Sequence, residues 1–113
     1  MFEDDSTRLR HMLDAAREAL RFVSGRIRRD LDTDRMLTLA LTKEVEIIGE
    51  AANHVSAAFR DSHPSIRWQS AMGMRNRLVH AYFVVDEDAL WSTVVDDLPP
   101  LISELEKLIP DSA

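Results

Sequence analysis

The segment MRNRLVHAYF, residues 74–83, gathers Arg75, Asn76, Arg77, His80 and Tyr82 into one short polar stretch. Histidine titrates near neutral pH and can take or give a proton. Arginine stays cationic and offers a planar fork that matches phosphate oxygens. One such pair, doubled about a two-fold axis, could position an RNA phosphodiester: an imidazole would accept the 2′-OH proton and a guanidinium would stabilise the charged transition state. That route needs no metal, and it could not cut DNA, which lacks the 2′-OH.

Arg75 and His80 are five residues apart, which on an ideal helix separates them by about 140°. They can converge if the helix ends near Val79, or if a second chain supplies the neighbouring pair. Asn76 and His80 share a face of a continuous helix, so Asn76 could bond one ring nitrogen and fix the tautomer. The structural alternative stands beside the chemical one. Taken alone, R-x-x-x-x-H arises by chance in many helical proteins, and a polar seam in a helix bundle is the more frequent use of such clusters. Tyr82 by itself reads as a packed ring with a satisfied hydroxyl.

The elements that must position these residues are helices. The chain of 113 residues has room for one domain, 1–113, with one core. From Ser6, the residues Leu9, Met12, Leu13, Ala16, Leu20 and Val23 form an amphipathic stripe behind an Asp5 or Ser6 cap, with Ser24-Gly25 as the stop. GRIRRDLDTD reads as a linker holding at most a helical turn. Asp32, Thr33 or Asp34 would then cap a second helix whose stripe runs Leu37, Leu41, Val45, Ile48, Ala52, Val55, Phe59. Gly49 inside it marks a close helix–helix approach. Pro64 would open the third helix, anchored by Ile66, Met74 and Leu78. After an extended turn, Asp86 caps a last stripe from Leu90 to Ile109, which Pro99-Pro100 must kink or split. No strand pattern is visible. The expected fold is all-α, an antiparallel bundle of four to five helices.

Composition narrows the function classes. With no cysteine, disulfides, thiolate nucleophiles and thiolate metal sites are excluded. His11, His54 and His63 lack metal-ligand spacing, so no metal and no cofactor is expected. The opening MFEDDSTRLR lacks a signal-peptide pattern and no apolar run approaches a membrane span, so a cytoplasmic chain without membrane contact is expected. A net charge of −6 argues against broad nucleic-acid binding. The charge is segregated. Arg8, Arg10, Arg17, Arg21, Arg26, Arg28, Arg29 and Arg35 crowd the first third, whereas Asp86, Glu87, Asp88, Asp96, Asp97, Glu104, Glu106 and Asp111 face only Lys107 at the end. Two functional faces, a self-complementary assembly and plain solvated surface would each produce this pattern.

Three stretches in combination, EIIGEAANHVSAAFRDSHPSIRW, GMRNRLVHAYFVVD and LWSTVVDDLPPLISEL, resemble the HepT-like branch of the HEPN superfamily, small helical toxins of toxin–antitoxin pairs. The likeness runs from about Val45 to the C-terminus and, more loosely, through the first helix. It implies a metal-independent ribonuclease acting on RNA as a homodimer or higher oligomer, with Arg75 and His80 catalytic across the interface. Asn76 matches the polar residue after the arginine. Tyr82 matches the tyrosine to which a cognate nucleotidyltransferase antitoxin attaches AMP, which would block the phosphate site. Ala81 stands where such motifs often have Gly. Glu50 is either a partner of Arg75 or Arg77 or ordinary surface. The competing readings are a non-catalytic nucleotide- or RNA-binding module and a structural subunit of a nucleotidyltransferase complex.

Overall fold

The computed structural model describes residues 3–109, so Asp111 of the acidic tail lies outside the described residues. Helix α1, Glu3–Val23, puts Leu9, Met12, Leu13 and Ala16 fully inside. It stops where expected, with Gly25 in the left-handed region at φ 75°. Its start differs from expectation. Asp5 is not an N-cap but lies buried inside the helix, accepting hydrogen bonds from the Ser56 backbone N–H and hydroxyl at 2.8 Å each.

A single turn, α2 (Asp30–Thr33), buries Leu31 and leads into α3, Arg35–His54. Asp34 caps α3 by accepting from the Leu37 N–H at 3.0 Å, a bond that holds its carboxyl below the usual range. The expected stripe from Leu37 to Phe59 is buried throughout, but one helix does not carry it. Val55 is extended (φ −70°, ψ 137°), and α4 (Ala57–Ser62) starts afresh after Ser56, whose hydroxyl accepts from the Phe59 N–H at 3.2 Å. A serine offering its side chain to the backbone competes with helix continuation, and Asp5 fixes the outcome by taking the Ser56 N–H out of the ladder.

Pro64 falls in the connecting turn instead of a helix start, and α5 runs only over Trp68–Leu78. Beyond it come two short strands that hydrophobic periodicity cannot reveal at this length. β1 (Val79–His80) pairs antiparallel with β2 (Val84–Val85), Val79 opposite Val85 and His80 opposite Val84, around a 3₁₀ turn at Ala81–Phe83. Asp86 then caps α6 (Glu87–Ser92) as expected, accepting from the Ala89 N–H at 3.0 Å. A π-helical turn, Thr93–Asp97, joins α6 to α7 (Leu98–Leu108). Pro99 and Pro100 have no N–H to give the carbonyls of Val95 and Asp96, and the wider turn is the accommodation of that loss. The fold is thus an all-α bundle with its last helix split as expected.

Helix α3 packs between α1 and α5, and α1 also packs on α7. Their buried residues form one cluster that includes Leu41, Val45, Ile48, Leu78, Leu90 and Leu98. Two of the early arginines meet late acids within the chain: Arg17 pairs with Glu106 at 2.6 Å and Arg28 with Asp88 at 2.6 Å, Arg28 also reaching the nearby Asp32 at 2.9 Å. No helix among the described residues is long and apolar enough to cross a membrane.

One buried group works against stability at high pH. Glu44 on α3 is only 4 % exposed, and its Oε2 atom is buried without a hydrogen-bond partner. Burial, reinforced by the facing Glu18 carboxyl and only partly opposed by Arg21, pushes its pKa up to about 8 from 4.5. In the unfolded chain the carboxyl ionises near 4.5, while in the folded chain it keeps its proton until about 8. Its contribution is therefore complete below the lower value and is lost as pH rises through the higher one. We expect Glu44→Gln to be more stable than wild type by about 2–4 kcal/mol at pH 8 and near parity at pH 4.5. Urea unfolding across that range checks this, and parallel curves for the two proteins would refute it.

Candidate functional site

The polar segment sits where α5 ends and the small hairpin begins. Helix α5 is anchored by Trp68, Ala71, Met74 and Leu78, all buried. The Trp68 indole N–H donates to the His63 carbonyl at 2.9 Å, which fixes the helix at its first turn. At the other end Val79 turns extended (φ −115°, ψ 126°), so the helix ends at Leu78, two residues before His80. The helix therefore ends where convergence of Arg75 with His80 would require it to.

Arg75 lies in the last turn of α5, half-exposed, and its Nε faces Glu46 Oε2 of α3 at 3.8 Å. The other oxygen of Glu46 accepts from Lys43 Nζ at 2.9 Å, and this carboxylate raises the lysine above its ordinary range. Glu50, one turn further along α3, is exposed, and among the described residues it makes no ion pair with Arg75 or Arg77. Of the two alternatives for Glu50, surface exposure is what the structure shows. The acid that meets Arg75 is Glu46, which shares the face of α3 with Glu50, and only the helix–helix register tells the two apart. Arg77 points away from this pair, donating to the Ser70 carbonyl at 3.1 Å across Gly73.

His80 is exposed on β1, opposite Val84. Asn76 is exposed in the last turn of α5, and among the described residues no hydrogen bond joins it to His80. That expectation assumed a helix continuous through residue 80; the strand instead carries His80 off the helical face. Tyr82 is not a packed ring: it is fully exposed. It also occupies the left-handed region (φ 58°, ψ 28°), and Phe83 follows it there at φ 57°. For non-glycine residues each such position costs on the order of 1 kcal/mol or more. Phe83 and Val84 are exposed as well, at 39 % and 59 %.

The remaining candidates are structural. His63 stacks on Phe59 with ring centroids 3.9 Å apart, His54 Nδ1 lies 2.8 Å from the Glu50 carbonyl, and Met74 is core. Four of the better-formed grooves on the described surface are not lined by Arg75, His80 or Tyr82. One of about 330 Å³ between α1 and α3 has Lys43 and Glu46 in its wall, and another of about 540 Å³ has Met74 and Arg77. His80 and Tyr82 are exposed and Arg75 is half-exposed, and none of these grooves encloses them.

Comparison with known proteins gives a consistent picture. The family model described as "Ribonuclease HepT-like" matches residues 12–108. A Thermococcus cleftensis protein named "Probable ribonuclease HepT" is 42% identical over 79 residues, 70% of this chain and 72% of that protein. Two proteins named "Putative RNase", from Caldanaerobacter subterraneus and Methanocaldococcus jannaschii, are each 32% identical. The first alignment covers 89% of this chain and 90% of the relative, the second 84% and 87%. No solved structure matches the chain.

The left-handed backbone at Tyr82 makes a stability prediction. Asparagine tolerates that conformation better than tyrosine, and an exposed ring has little burial to lose. Tyr82→Asn should leave the protein as stable as wild type or raise its stability by up to about 1 kcal/mol in urea unfolding. A loss larger than that would mean that the ring packs.

Proposed function

The chain belongs to the Ribonuclease HepT-like family, and on that premise we propose that it is the toxin of a toxin–antitoxin pair, a metal-independent endoribonuclease working as a homodimer. Arg75 and His80 carry the cleavage. His80 takes the proton from the ribose 2′-OH, the oxygen attacks the adjacent phosphorus, and the guanidinium of Arg75 stabilises the charge that builds on the phosphate oxygens. As the 2′-oxygen bonds to phosphorus the P–O5′ bond breaks and the departing 5′-oxygen takes a proton from water, so the products are a 2′,3′-cyclic phosphate and a 5′-hydroxyl. Asn76, exposed beside them, orients the substrate or the second subunit.

The observation that carries this reading is the joint exposure of Arg75, His80 and Tyr82 at the end of one helix, in a chain matched by the family model over residues 12–108. A site of this kind is too open in one chain to exclude water or to hold a phosphodiester from two sides. A second copy brought against it would supply the other Arg–His pair, and the exposed apolar side chains of Phe83 and Val84 beside the motif favour such a contact. Tyr82 suits modification because its hydroxyl is presented to solvent. AMP placed there by a nucleotidyltransferase partner would set a phosphate two residues from His80 and repel RNA from the site.

The test uses purified protein without AMP, verified by intact mass, on a long RNA in the presence of EDTA. Wild type should cut the RNA and leave cyclic phosphate ends. Arg75→Ala and His80→Ala should each lose about 10²–10⁴-fold in rate, with unchanged thermal unfolding because neither side chain is in the core. Full activity in a folded His80→Ala protein would overturn the assignment. Tight RNA binding without cleavage would instead favour the non-catalytic binding module.

A further inference from the structure

Arg75 has to present its guanidinium in one orientation if it is to stabilise a transition state, yet its side chain is 40 % exposed and has several rotatable bonds. Among the described residues the carboxylate at ion-pair distance from it is Glu46, on the neighbouring helix. The contact is made through Nε, the inner nitrogen, at 3.8 Å. That leaves the outer edge of the guanidinium, with its two terminal nitrogens, for a phosphate. Glu46 is itself held, because its second oxygen accepts from Lys43 at 2.9 Å. The two helices carrying this chain of charges are set in close contact one turn further on, at Gly49, where a Cβ would lie 3.3 Å from the Ala71 carbonyl oxygen.

We propose that Glu46 is the positioning residue for Arg75, holding the guanidinium by its Nε so that its terminal nitrogens face the scissile phosphate; this role rests on the ribonuclease reading above. A half-exposed pair of this length adds little to stability. Its effect is on orientation, where a displacement of about 1 Å can cost on the order of 100-fold in rate. Glu46 also places a negative charge near the RNA, so a purely electrostatic account of RNA capture would have its removal tighten binding. The positional account requires its removal to slow the chemistry. The two accounts therefore put the effect of Glu46→Gln in different quantities, binding in the one and the chemical step in the other.

Two readouts on the full chain separate the outcomes. The first needs no activity: the Arg75 Nε–H resonance in a ¹H–¹⁵N spectrum, identified by its absence in Arg75→Lys. It should shift and exchange faster with water in Glu46→Gln, and an unmoved signal overturns the proposal. The second is cleavage of one defined RNA by wild type and Glu46→Gln, with matched thermal unfolding. We expect kcat to fall about 10- to 100-fold while KM stays within about threefold of wild type. An unchanged kcat, or a change confined to KM, overturns the positional role. If wild type itself leaves the RNA intact, the ribonuclease reading fails and the positional role with it. The resonance then still reports whether the Glu46–Arg75 contact exists in solution.

Discussion

The backbones of α3 and α5 meet at Gly49, and the geometry of the polar motif depends on that contact. A Cβ at this position would stand 3.3 and 3.4 Å from the carbonyl oxygens of Ala71 and Met72, rigid backbone atoms that could yield only by moving α5 outward. A glycine within a helix gives up about 1 kcal/mol against alanine, and the Gly49 carbonyl recovers something by also accepting from Asn53 Nδ2 at 3.1 Å. What the close approach secures is register. One turn back along α3 lies Glu46; one turn forward along α5 lies Arg75. With the two backbones in contact, a glutamate and an arginine of ordinary length come within 3.8 Å. The same register leaves Glu50 without that partner.

A second constraint acts at the far end of α3. Asp5 is buried against Ser56 and receives both its N–H and its hydroxyl at 2.8 Å. A buried carboxylate with two good donors is satisfied, and an unsatisfied one would be expensive. The pair ties the first turns of α1 to the break between α3 and α4. In this way a long-range contact determines a local feature, the end of a helix. The ion pairs from Arg17 to Glu106 and from Arg28 to Asp88 act across the same bundle. They join two of the early arginines to two of the late acids within the chain, although being exposed each contributes little alone.

Much of this was legible from residue order, for reasons that can be stated. The stripes of α1, α3 and the α6–α7 rod repeat at helical spacing over many turns, and such periodicity survives individual exceptions. The caps at Asp34 and Asp86, the stop at Gly25 and the close approach at Gly49 are single-residue signals with a mechanism, and they lie where that mechanism places them. What was illegible shares a different property. The break at Val55 leaves the apolar phase intact and is set by Asp5, distant in sequence. The strands at Val79–His80 and Val84–Val85 are too short to alternate detectably. Choosing Glu46 over Glu50 requires the relative rotation of two helices. At the motif, Asn76 and His80 were separated by a change from helix to strand that no spacing rule anticipates.

That change leaves a local cost that the packing of the described chain does not reward. Tyr82 and Phe83 both hold positive φ, and Tyr82 contacts too little to be buried at all. Such a conformation persists only when its surroundings over-determine it, and both ends of the hairpin are fixed. On one side the Asp86 N–H donates to the Leu78 carbonyl at 2.7 Å, and on the other the Asp86 side chain caps α6. Val79 and Val85 are paired between them. With its ends clamped, the turn at Ala81–Phe83 has few conformations that close the gap, and the one adopted puts strain at its tip. A glycine there would relieve it, but would remove the phenol. The strain therefore falls at a position where the backbone presents a tyrosine ring to solvent two residues from His80, the placement that the proposed modification of Tyr82 would use.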